Sequence, residues 1–159
     1  MGQGDGSMIK VIKVTTIDNP EYQEFETWAA FLRTNQTLHS HNDKPSLIGY
    51  HGNNIDWYEV WHLNDKVHRT GDKPSIISYF ESGKIDCEQW CLDGKRHRAN
   101  GKPSYISYFE SGKIHCEEWH LNNTVYSEQD YRQVLEQVKS MSDTEKLLDS
   151  RDWVREMVK

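Results

Sequence analysis

Apolar and aromatic residues fall in short runs separated by polar turns, and through the middle of the chain the runs keep a fixed spacing. Pro74 to Phe80 is β-branched and aromatic, as suits a half-buried pleated strand, and begins at a proline, where no ladder N–H is needed. Ser82-Gly83 marks a turn, Ile85 to Leu92 reads as a second strand, and Asp93-Gly94 is a strong hairpin signal. Alternation sets Ile77 and Tyr79 against Ile76, Ser78 and Phe80, and sets Glu88, Trp90 and Leu92 against Cys87, Gln89 and Cys91. Both faces are partly apolar, so both are expected to be covered.

The same pattern recurs every 29 residues. Aligning Leu38–Lys66, Val67–Lys95 and Arg96–Thr124 gives 18 identities in 29 between the second and third copies and 11 between the first and second. His39, His68 and His97 fall in register, as do Pro45, Pro74 and Pro103, and Trp61, Trp90 and Trp119. A fixed period of this kind signals an array of one supersecondary unit. The expected fold is α+β: an antiparallel β-meander of three tandem hairpins over residues 38–124, about six strands in all, with capped ends.

The flanks supply the caps. Residues 1–7 are glycine-rich and read as an appended expression leader. Over residues 8–37, Met8 to Thr16 reads as a strand. Asp18-Asn19-Pro20-Glu21 then reads as the start of a helix carrying Tyr22, Phe25, Trp28, Ala29 and Leu32. Over residues 125–159, Ser127 to Asp130 resembles a capping box ahead of the stripe Tyr131, Val134, Leu135 and Val138. Ser142 to Glu145 opens a further helix over Leu147 and Leu148, and Trp153, Val154 and Met157 suggest a last helical turn.

Composition changes the picture little. A mean hydropathy of −0.89 is polar, but six Trp and eight Tyr argue for a folded sheet rather than disorder. A formal charge of −6 argues against broad coating of nucleic acid. No apolar run approaches the ~20 residues that span a bilayer, no signal peptide is visible, and three cysteines suggest no disulfide framework. The expected location is cytoplasmic, with no membrane partner.

Trp61, Asn64, His68-Arg69, Pro74-Ser75, Tyr79, Gly83 and Trp90, with Trp90, Gly94, His97-Arg98, Pro103-Ser104, Tyr108, Gly112 and Trp119 after them, resemble a MORN-like repeat variant of phage, bacterial and giant-virus proteins. That pattern usually has glycine where Lys73 and Lys102 stand and alanine where Ser75 and Ser104 stand. Ser40, and Tyr126-Ser127, replace its His-Arg at the two ends. The resemblance implies a phage or bacterial accessory protein, acting in the host cytoplasm if phage-encoded, and no particular activity.

Residues that recur once per copy are expected to be scaffold. Cys87 and Cys116 are in register, as are His62, Cys91 and His120, and this mimics a metal-ligand set. Equivalent positions two strands apart are nonetheless roughly 9–10 Å from one another, too far for zinc bonds of about 2.0–2.3 Å. No phosphate loop, serine elbow or metalloprotease helix is present. The expectation is no catalytic residue, no metal, no cofactor and no enzyme.

Two binding functions remain. One is a protein-interaction module whose partner is a host factor, a defence complex included, with Trp57, Trp61, Trp90 and Trp119 as interface or core aromatics. The alternative is nucleic-acid binding through a basic stripe of inter-unit loops: Lys66, His68, Arg69, Lys73, Lys95, Arg96, His97, Arg98 and Lys102. A nucleic-acid mimic in the C-terminal helices has a poor signal, because Asp143, Glu145 and Asp149 alternate with Lys146 and Arg151.

Overall fold

The structure is a computed structural model that describes residues 12–51, 55–149, 151 and 154; the side chains of residues 51 and 55–57 are outside that description. The elements, in order, are β1 (Ile12–Thr16), β2 (Asn19–Phe25), α1 (Trp28–Leu32), β3 (Leu47–His51), β4 (Ile55–Val60), β5 (His62–Leu63), β6 (Lys66–Val67), β7 (Ile76–Tyr79) and β8 (Ile85–Gln89). Then follow β9 (Cys91–Leu92), β10 (Lys95–Arg96), β11 (Tyr105–Tyr108), β12 (Ile114–Leu121), β13 (Thr124–Tyr126), α2 (Glu128–Ser140) and α3 (Asp143–Leu148). The chain is α+β and mainly antiparallel sheet.

Nine strands form one sheet in the order β13-β12-β11-β8-β7-β4-β3-β1-β2, and β5–β6 and β9–β10 are separate two-stranded ribbons. Each ribbon turns through two left-handed residues: Asn64 and Asp65 (φ 50° and 63°), then Asp93 and Gly94 (φ 49° and 79°). Asn122 and Asn123 (φ 56° and 68°) do the same between β12 and β13. Paired positive φ is the tight turn that matches strand twist, and Asn, Asp and Gly tolerate it best.

Strand register sorts the side chains. Val14, Leu47, Val60, Ile76, Gln89, Tyr105 and Glu118 form one row across the sheet. Partnered residues share a face, so this row belongs to one face. Leu38 and Val67 pack on its apolar end. Arg96, in register with them, lies over Tyr105 at 5.2 Å and donates to Gln89 Oε1 at 3.1 Å. The floor and its cover thus change together from apolar to polar along the array.

The apolar cores sit at the two ends. Ile12, Val14, Phe31, Leu38, Leu47 and Val60 form one; Leu121, Tyr131, Leu135, Val138 and Val154 form the other. Gly49 leaves room for the ring of Tyr58, which lies where a Cβ would stand.

Several expectations are corrected. Asn19 to Phe25 is a strand, not a helix, and α1 is only five residues long, capped by Thr27. The Asp-Asn-Pro signal is local, and pairing of β2 along β1 overrides it. The expected strand Ile85–Leu92 breaks at Trp90, where the chain leaves the sheet to form a ribbon, so alternation does not carry from Glu88 to Leu92. The Ser142–Glu145 capping box opens α3 over Leu147 and Leu148 as expected, and both leucines are exposed. Residues 1–11, Trp153 and Met157 lie outside the described residues, as does the side chain of Trp57.

Candidate functional site

The basic stripe is built into the scaffold. Arg69 donates to both carboxylate oxygens of Asp43 (2.8 and 3.1 Å) and to the Pro74 carbonyl (3.0 Å). Its guanidinium lies 3.7 Å from the Trp61 ring centre, and the Trp61 indole N–H donates to the Asp43 carbonyl at 3.0 Å. Arg98 repeats this one unit on, with Asp72 (2.6 and 3.1 Å), Pro103 (2.9 Å) and Trp90 (3.8 Å). Lys73 reaches Asp43 at 2.6 Å and Lys102 reaches Asp72 at 3.0 Å. Bidentate arginine pairs are geometrically demanding and strong for ion pairs, and stacking on indole adds to them.

These contacts shift the acids. The guanidinium of Arg98, helped by Lys102, holds the Asp72 carboxyl down at about 2. Arg69 and then Lys73 hold Asp43 well below the usual carboxylate range. Four of the nine stripe residues are therefore ion-paired with two carboxylates, with the Arg69 and Arg98 side chains largely buried and Lys73 and Lys102 still more than half exposed. Sequence reasoning missed Asp43 and Asp72. The signal was there: where Gly101 replaces the aspartate, Ser127 replaces the arginine 26 residues later. Asp43 and Asp72 have φ of 60° and 57°, and Gly101 keeps a left-handed turn at 87°.

The histidines are joints as well. His39 Nδ1 lies 2.9 Å from Asn64 Oδ1, His68 Nδ1 lies 3.1 Å from Asp93 Oδ1, and the Asn122 N–H donates to His97 Nδ1 at 3.2 Å. Each histidine thus holds the next ribbon turn. Burial pushes His97 down to about 4, so it is neutral near pH 7. Arg96 also faces Glu118 at 3.6 Å. Lys66 is exposed and Lys95 half-buried.

A serine ladder runs beneath. Ser46, Ser75 and Ser104, which follow the recurring prolines, are fully buried. Ser46 Oγ lies 2.8 Å from His62 Nδ1 and Ser104 Oγ lies 2.9 Å from His120 Nδ1, while Ser75 Oγ accepts from the Cys91 N–H at 2.8 Å. Burial pushes His62 down to about 4, with Asp65 opposing, and lowers His120. Among the described residues no group of three or more His, Cys, Asp or Glu could hold a metal ion.

Trp61 and Trp90 are buried under arginine, and Trp119 packs with the C-terminal cluster. The Trp119 indole N–H is buried with no hydrogen-bond partner among the described residues. Tyr131, from α2, ends the series by donating to the Arg98 carbonyl.

The face opposite the Val14–Glu118 row carries a second row. Glu59, Ile77, Glu88, Ile106 and Glu117 make a row across β4, β7, β8, β11 and β12. Tyr79 donates to Glu59 at 2.9 Å and Tyr108 to Glu88 at 2.7 Å, which holds each carboxylate in place. Burial and Glu88 raise the Tyr108 phenol above its ordinary value. Tyr79 pairs with Ile85 and Tyr108 with Ile114, and these isoleucines are 38% and 53% exposed. Among the described residues α1 packs on β2, and α2 packs on β12 and β13, at the end of this face where Trp119 and Leu121 stand. A separate cleft of about 450 Å³ opens beside α1 between Trp28, Leu32, Leu38 and His62.

No family model matches the chain, and neither a curated protein nor a solved structure does. No described helix is long and apolar enough to cross a membrane.

Proposed function

We propose that the chain is an array of three MORN-like hairpin units that works as a non-enzymatic protein-interaction module. On this reading it is a phage or bacterial accessory protein that acts in the cytoplasm by binding and modulating a host factor, a defence complex included. The observation that carries the reading is the sheet face bearing Ile77, Ile106, Tyr79 and Tyr108, with Ile85 and Ile114 exposed beside them. Aliphatic and aromatic side chains on a stiff, hydrogen-bonded sheet are pre-organised, and this lowers the ordering cost of binding. The nucleic-acid alternative has less support, because Asp43 and Asp72 already engage Arg69, Lys73, Arg98 and Lys102.

The test is capture from nuclease-treated host lysate on the immobilised protein, beside an Ile85→Lys/Ile114→Lys variant whose circular dichroism is unchanged. A protein band retained by the parent and lost by the variant supports the reading. A band indifferent to the variant, or one that nuclease removes, overturns it.

A further inference from the structure

The open face has a chemistry of its own, and it constrains what can sit there. Its central row alternates carboxylate and isoleucine: Glu59, Ile77, Glu88, Ile106, Glu117. Successive strands are about 4.8 Å apart, so the carboxylates recur at about 9.6 Å and the row is about 19 Å long. β4, β7, β8 and β11 are interior to the nine-stranded sheet, while β12 pairs with β11 over Ile114–Glu118 and with β13 only over Trp119–Leu121. Backbone hydrogen bonds run within the plane of a sheet, so a partner laid over this face, rather than along the β12 edge, binds through side chains. An α-helix satisfies its own backbone and can lie on such a face.

The spacing agrees. A helix rises about 1.5 Å per residue, so 9.6 Å is six to seven residues, about one heptad, and the row needs about 13 residues. Isoleucines midway between the carboxylates ask for apolar side chains three or four positions from each basic one. Tyr79 and Tyr108 fix the Glu59 and Glu88 carboxylates, so little ordering is left to do on binding. The chain's net charge of −6 favours approach of a cation.

We infer that the occupant of this face is a cationic amphipathic helix of a partner protein, laid across the strands with Lys or Arg about one heptad apart over Glu59, Glu88 and Glu117 and apolar residues between them over Ile77 and Ile106. This rests on the interaction-module reading and narrows it to one class of partner. Charge sets the approach and register of the helix, and the isoleucines set its lifetime.

The test needs no knowledge of the natural partner. A displayed library of helix-forming peptides, about 18 residues long, is panned against the full chain. The winners are expected to be net positive, with Lys or Arg about every seven positions and aliphatic or aromatic residues between. They are expected to bind a Glu59→Gln/Glu88→Gln/Glu117→Gln variant at least about tenfold more weakly, with the loss shrinking at high salt. Neutral or acidic winners, equal binding by that variant, or no winners at all would overturn the inference. An Ile85→Asp/Ile114→Asp variant separates the two levels. Winners without basic residues that this variant loses leave the interaction face standing and remove only the cationic helix. Winners indifferent to both variants remove both.

Discussion

Breaking the Arg98–Asp72 contact should loosen the joint between the Asp72 turn and the loop that follows β10 by a calculable amount. The Asp72 carboxyl falls from 3.8 to about 2, which at about 1.4 kcal/mol for each tenfold change in proton affinity is about 2.5 kcal/mol before screening. Asp72 is 36% exposed at its side chain, so screening reduces this to about 1–1.5 kcal/mol. Arg98 also stacks on Trp90 and bonds the Pro103 carbonyl, so Arg98→Leu should cost about 3 kcal/mol in all. For a chain of this size that lowers Tm by about 6–10 °C. The clean measurement is a double-mutant cycle of Arg98→Leu and Asp72→Asn by urea denaturation, with an expected coupling of about 1–1.5 kcal/mol at pH 7. The Arg69–Asp43 cycle should give less, because Arg69 is 14% and Asp43 45% exposed against 9% and 36%. The folded pKa of Asp72 lies below its unfolded value, so the contribution is complete above about pH 4 and disappears as pH falls through about 2. A coupling below about 0.3 kcal/mol at pH 7, where distant sites already fall, would refute the joint, as would one that survives protonation of Asp72.

Three further outcomes follow from the ladders. Ser75→Ala leaves the buried Cys91 N–H without its acceptor and should cost about 1–3 kcal/mol in urea denaturation, whereas Ser82→Ala at an exposed turn should cost almost nothing. His62, held at about 4 by burial, binds its proton more readily when unfolded; its stability contribution is full above pH 6.5 and is lost as pH falls through 4. Parent and His62→Gln stabilities should therefore diverge in pH dependence across that window, by on the order of 3 kcal/mol. Tyr131→Phe removes the donor to the Arg98 carbonyl and should cost about 1 kcal/mol, read as faster hydrogen exchange at the third unit before any change at the N-terminal core.

The legible parts of this chain were those where one residue type is forced by backbone geometry or by a repeating period. Asp93-Gly94 and Asn122-Asn123 announce left-handed turns because few other residues accept them. The stripe Tyr131, Leu135 and Val138 announces a buried helix face because nothing else explains its spacing. β2 was misread because a capping residue before proline looks the same whether or not a neighbouring strand stands ready to pair with it. The strand break at Trp90 was invisible because the indole's partner is a carbonyl 18 residues away, at Asp72. Asp43 and Asp72 were missed because an acid and a base 26 residues apart in loops carry no local mark. Only their joint absence at Gly101 and Ser127 betrays the pairing.

That joint absence also bears on where function can reside. Between its two apolar ends the sheet is joined by polar contacts: guanidinium on carboxylate and indole, imidazole on turn, serine under strand. Such contacts are directional, and an unmade buried one costs more than a made one contributes. The recurring His, Arg, Trp and Ser residues are therefore constrained by their neighbours before any ligand is considered. The face of Glu59, Ile77, Glu88, Ile106 and Glu117 is under a weaker constraint. Tyr79 and Tyr108 orient two of its carboxylates, and α2 packs on its β12 end through Trp119 and Leu121. Substitutions at Ile77, Ile106 and Glu117 leave the arginine, histidine and serine contacts intact, whereas Glu59 and Glu88 also tie β4 to β7 and β8 to β11 through Tyr79 and Tyr108.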